Sequence, residues 1–157
     1  MIDRSRLAAL LEPRRPLRAI VVGWLVVAIP ALALAALVGW LFPDVPSPKL
    51  PTEGMIAFVA LVIISPLVET LIMAAVIEIG LLALPPLPVV LLSSIGWGIA
   101  HSLSAPTWGM VIWWPFLIFS TLYVTWRGEG RVKAIAIVAT VHALNNLIPA
   151  VILLRSA

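Results

Sequence analysis

Long apolar runs alternate along the chain with short breaks rich in proline, glycine or charge. A helix needs about 20 residues to cross ~30 Å of hydrocarbon. Five runs approach or exceed that length: 19–42, 55–84, 87–103, 108–126 and 132–154. The third is short, and the second is long enough to tilt strongly. Pro43-Asp44-Val45-Pro46-Ser47-Pro48, Pro85-Pro86-Leu87-Pro88 and Arg127-Gly128-Glu129-Gly130-Arg131 separate them, since proline removes a helical N–H and glycine loosens the backbone. Ser104-Ala105-Pro106-Thr107 is the weakest of the breaks. The expected fold class is all-α, a polytopic transmembrane helical bundle of about five spans.

Composition agrees with this pattern. Of 157 residues, 62% are hydrophobic and 11% charged, with mean hydropathy +1.15, whereas soluble domains carry about 25% charged residues. The absence of cysteine excludes a disulfide framework and thiolate chemistry. A pI near 10.2 would suit nucleic acid, but the basic residues gather at the ends of apolar runs. That is a topology signal, and no nucleic-acid partner is expected.

Arg4, Arg6, Arg14, Arg15 and Arg18 precede the first run, and Arg127, Arg131 and Lys133 flank the last break. Five spans with a cytoplasmic N-terminus put these eight of the ten basic residues inside, leaving Lys49 and Arg155 outside. The first run is about twice the 7–15 apolar residues of a signal peptide, so a retained anchor is expected. The domain reading is a basic segment, 1–18, at the membrane surface, mildly amphipathic over 2–11, followed by one transmembrane domain, 19–157.

Against this apolar background stand Glu69, His101 and His142, with Asn145 and Asn146 one turn after the last. Ionisable groups at membrane depth cost several kcal/mol each and face a protein interior or a cavity. At about 1.5 Å per residue, Glu69, His101 and His142 lie roughly 21, 20 and 15 Å from the cytoplasmic ends of their spans. The shared depth predicts one site. Ser93, Trp97 and His101 recur every four residues on one face, beside a stripe of Ser94, Gly98 and Ser102 that admits a close helix. His142 and Asn146, also four apart, can aim two donors at one point, as an oxyanion hole requires. Ser65-Pro66 interrupts the second span and frees backbone groups near Glu69. Glu78, nine residues further on and half a turn round, is expected to pair with a basic loop residue instead. Trp108 and Trp126 suit interfacial belts, while Trp113 and Trp114 could pack a lipidic ligand or the bundle itself.

Pro66-Leu67-Val68-Glu69-Thr70, Ser93-Ser94-Ile95-Gly96-Trp97-Gly98-Ile99-Ala100-His101 and His142-Ala143-Leu144-Asn145-Asn146 resemble, in order, three motifs of the CAAX-protease and bacteriocin-processing family, known as CPBP or Abi. Those motifs read Glu-Glu-x-x-x-Arg, Phe-x-x-x-His and His-x-x-x-Asn/Asp, each on its own transmembrane helix. The resemblance covers about 55–155, so the first span is an addition. It implies that Glu69 activates a water for peptide hydrolysis, that His101 is the second-motif histidine with Trp97 as its aromatic partner, and that His142 and Asn146 stabilise the oxyanion. It also implies a bacterial inner (cytoplasmic) membrane protein. Two positions depart from the pattern: Thr70 replaces the second glutamate and Ala74 the arginine.

Three functions follow, in order of preference. The first is an intramembrane endopeptidase with lipid around it and a hydrophobic or prenylated peptide as substrate, needing no cofactor. The second is a non-catalytic relative, a subunit, immunity factor or chaperone that binds a membrane-protein partner or an apolar cofactor in the same cavity. The third is a metal site or proton relay, since Glu69, His101 and His142 form the His₂Glu set of catalytic zinc; without His-Glu-x-x-His spacing a standard zinc protease is disfavoured.

Overall fold

The computed structural model describes residues 15–45 and 54–156. The expected surface segment 2–11, most of the basic tail and Lys49 lie outside the described residues. The described chain is all-helical, with five helices, the last four joined by short turns. They are α1 (Pro16–Leu41), α2 (Gly54–Gly80), α3 (Pro86–Ser102), α4 (Gly109–Trp126) and α5 (Arg131–Ser156). Four of these, all but α3, are long and apolar enough to cross a membrane. With its 17 residues, α3 is the short helix expected of the third run.

The bundle is apolar on its outside as well as inside. Leu17, Ile29, Ile79 and Ile99 are each more than 60% exposed, on three different helices. Water would penalise such surfaces at about 25 cal/mol per Å², whereas lipid does not. Together with the helix lengths, this defines a helical membrane protein. The core gathers on α4 and α5, where Phe116, Phe119, Leu122, Tyr123, Trp126, Val138 and Val141 pack with Met73 and Ile77 of α2 and Val27 of α1. Trp126 is fully buried under Lys133, whose ammonium lies 5.1 Å from its ring, so it serves the core and not an interfacial belt.

The pair α3 and α4 makes the closest approach. The chain turns back over 103–108, and Gly98, Ser102 and Gly109 meet where the helices touch. A Cβ on Gly109 would overlap the Gly98 carbonyl oxygen and the Ser102 hydroxyl, and one on Gly98 would sit 3.2 Å from Cβ of Trp113. The small-residue stripe thus brings two backbones together. Higher up the same contact, Ser120 Oγ donates to Ser93 Oγ at 2.9 Å. Other hydroxyls fold back onto their own helices, Thr121 to Leu117, Thr125 to Thr121 and Thr140 to Ala136, which spares an unpaired donor in an apolar surrounding.

One end of the bundle is fastened by charge. Arg127 reaches the Glu78 carboxylate through Nε and Nη2 at 2.8 and 3.0 Å, and Arg131 adds a bond of 2.7 Å. Tyr123 donates its hydroxyl to the same carboxylate at 3.0 Å. Glu78 therefore ties α2 to the α4–α5 turn, as its helical position suggested. The turn closes at Gly130, whose φ of 126° is open to glycine and strained for other residues.

Replacing Gly109 by alanine is expected to force α3 and α4 apart and cost about 1–3 kcal/mol. Thermal unfolding in detergent should show a clearly lower Tm for Gly109→Ala, with Gly128→Ala, whose Cβ meets open space, as the unchanged control.

Candidate functional site

Sequence positions 69, 101 and 142 converge. His101 Nε2 lies 3.8 Å and His142 Nε2 3.9 Å from the same oxygen, Oε2 of Glu69. Both slightly exceed direct hydrogen-bonding distance, so the two imidazoles face the carboxylate without bonding to it directly. The other carboxylate oxygen, Oε1, accepts the hydroxyl of Ser65, one turn earlier on α2. The carboxylate is thereby fixed with one edge turned to the imidazoles.

Each ring has its own support. His101 Nδ1 lies 2.8 Å from the carbonyl of Trp97. A carbonyl only accepts, so Nδ1 carries the hydrogen and an uncharged His101 presents a lone pair at Nε2. Trp97 stacks on Phe116 with centroids 4.3 Å apart, and Trp108 meets His101 edge-on at 4.9 Å. His142 is buried, stacked on Phe119 at 4.6 Å, with no hydrogen-bond partner for Nδ1. A hydrogen on Nε2 gives His142 a donor toward Glu69 and leaves an Nδ1 lone pair against the rings, which costs less than an orphaned N–H would.

The Asn146 side chain answers a backbone defect. Before Ser65-Pro66, α2 widens into a π-helical turn over Ala60–Ile64, and the Ser65 amide donates to Ala60, five residues back. In that register the next donor, for Leu61, belongs to Pro66, which has no N–H. Asn146 Nδ2 supplies it, donating to the Leu61 carbonyl at 3.1 Å. Asn145 lies alongside, its Nδ2 3.4 Å from Asn146 Oδ1. The arrangement gives Asn146 a bond across helices that spacing alone did not foresee, while Asn146 also lines the cavity shared by Glu69 and His142. The same logic holds α1: Pro30 cannot serve the carbonyl of Val26, and Trp114 Nε1 donates to it at 3.0 Å.

These side chains form the base of a cavity of about 440 Å³. Above the base its walls are Ala31, Leu32 and Ala35 of α1, Val111 and Ile112 of α4, and Ile148 and Leu153 of α5. Trp113 and Trp114 are absent from the lining: Trp114 bonds to α1, and Trp113 lies beside Gly98 with its side chain partly exposed, while Trp108, read as a belt residue, also lines the cavity. Thr70 and Ala74 are buried in the helix packing and also stand outside the cavity wall. Sequence reasoning missed Ser65 as a partner of Glu69, although its i,i+4 spacing was available, and missed Phe116 and Phe119 because aromatic residues in an apolar run carry no positional signal. Among the described residues no three His, Cys, Asp or Glu side chains form a metal-binding group. Comparison with family models, curated proteins and solved structures returns no match for this chain.

Loss of the Asn146 amide should leave the Leu61 carbonyl without its donor, at a cost of about 1–3 kcal/mol. Asn146→Ala is therefore expected to lower Tm in detergent, and Pro66→Ala, which restores a backbone N–H, should recover most of that loss in the double variant. Equal losses from Asn146→Ala with and without Pro66 would show that the amide does something else.

Proposed function

We propose that this protein is an intramembrane endopeptidase resembling the CPBP proteases, with five spans and a cytoplasmic N-terminus in a bacterial inner membrane. The observation that carries the reading is the convergence of both His101 and His142 to within 4 Å of Glu69 Oε2, in an apolar cavity. Paired groups of this kind can activate water and stabilise the charge that forms when it attacks.

In this mechanism a water sits between Glu69 Oε2 and His101 Nε2. Glu69 takes one proton from it while the His101 lone pair orients the other. The oxygen attacks the carbonyl carbon of a peptide bond. Negative charge develops on the carbonyl oxygen, and His142 Nε2–H donates to it. The C–N bond then breaks as Glu69 returns its proton to the departing amine. Ser65 keeps the carboxylate oriented throughout. Asn146 fixes α2 against α5, so the carboxylate and His142 stay in register. The burial of Thr70 and Ala74 supports an active enzyme, because the departures from the family pattern fall outside the cavity wall.

Cleavage of a hydrophobic peptide and a prenylated peptide in proteoliposomes tests the reading. Glu69→Gln should reduce turnover by about a hundred- to ten-thousandfold, the order expected when a general base is removed, while Tm is retained. His142→Ala is expected to lower kcat far more than it raises KM. A well-folded wild type that cleaves neither substrate would favour a non-catalytic binding protein instead. Stoichiometric zinc that vanishes in His101→Ala would favour a metal centre on Glu69, His101 and His142.

A further inference from the structure

The cavity occupies one half of the bundle only. On α1 it is lined from Ala31 to Ala35, well past the helix midpoint, and on α5 from His142 to Leu153. His101 is the penultimate residue of α3, and Trp108 directly precedes α4. Burial falls in the same direction. His142, Phe116 and Phe119 at the base are buried, whereas Leu32, Ile152 and Leu153 at the rim are about half exposed or more. The cavity therefore lies toward the end where α1 and α5 finish and the α3–α4 turn lies.

Charge marks the opposite end. Arg15 and Arg18 stand at the start of α1, Arg127 and Arg131 bind Glu78 in the α4–α5 turn, and Lys133 follows. A cluster of this density is retained on the cytoplasmic side during insertion. We infer that the cavity is entered from the non-cytoplasmic face of the membrane, and that, on the peptidase reading, it takes an internal hydrophobic segment of an exported peptide. The apolar walls above the base suit side chains of such a segment. Asn145 adds an amide between wall and base that can pair with its backbone. Glu69 sets a carboxylate at the base of the cavity, which repels a substrate's terminal carboxylate. That favours a bond within the chain over one at its C-terminus. This substrate class rests on the peptidase reading; the direction of entry does not.

The chain has no cysteine, so a single introduced thiol reports unambiguously. Three variants suffice: Ser104→Cys in the exposed α3–α4 turn, Leu32→Cys at the cavity rim and Gly128→Cys in the arginine-side turn. Spheroplasts of a bacterium expressing each are treated with a membrane-impermeant maleimide, with and without detergent. Ser104→Cys and Leu32→Cys should be labelled on intact spheroplasts, and Gly128→Cys only after detergent. Labelling of Gly128→Cys alone on intact spheroplasts would overturn the inference, because the mouth would then face the cytoplasm. Labelling of Ser104→Cys without Leu32→Cys would also overturn it, since the rim would open to lipid and not to water. Peptide cleavage, measured in parallel, separates the two readings. Outward labelling without cleavage removes the enzyme and keeps the entry route, whereas cleavage with inward labelling does the reverse.

Discussion

Backbone hydrogen bonding in a solvent that offers none is the constraint on which this bundle depends. In water a proline inside a helix leaves a carbonyl to be hydrated. In hydrocarbon the same carbonyl must find a donor from the protein or remain unpaired at a cost of several kcal/mol. Two of the prolines inside helices show the answer directly. Pro30 leaves Val26 to the indole of Trp114 on α4, and Pro66 leaves Leu61 to the amide of Asn146 on α5. Each repair crosses from one helix to another. The defects thus set where α1 and α2 stand relative to the central pair, and the position of α2 sets where Glu69 points.

The π-helical turn before Pro66 has a second effect. The proline ring would collide with the preceding turn of an α-helix, and widening that turn relieves the clash. It also changes the angular position of everything that follows on α2. Ser65, Glu69 and the packed Thr70 and Ala74 take their faces from that offset, with the carboxylate toward the cavity and the two small residues toward the core. A helical defect held by an asparagine from another span is therefore part of how the two histidines and the carboxylate come to share one oxygen.

The opposite end of the bundle solves a different electrostatic problem. Glu78 carries a charge near the end of an apolar helix, and two arginines with a tyrosine hydroxyl satisfy it. The bundle is fastened by charge at one end, by glycine contact between α3 and α4, and by the two repaired carbonyls. Between these restraints the helices stand apart far enough to enclose a cavity, which the close α3–α4 contact would otherwise preclude.

Much of this was legible in the chain. The five helices begin and end close to the breaks that proline, glycine and charge impose, because those residues act locally on whichever helix contains them. The meeting of Glu69, His101 and His142 was legible too, from depth alone: a rise of about 1.5 Å per residue makes sequence position a coordinate along the membrane normal. Rotation about that normal was not. Whether Asn146 faces the histidine or the neighbouring backbone, whether Trp108 or Trp114 looks into the cavity, and whether Trp126 meets lipid or core all depend on how helices turn against one another. In an apolar chain nearly every face is hydrophobic, so the amphipathic pattern that fixes rotation in a soluble bundle is missing. The sequence determined how far along the membrane each group sits; packing of glycines, prolines and their replacement donors decided which way each group faces.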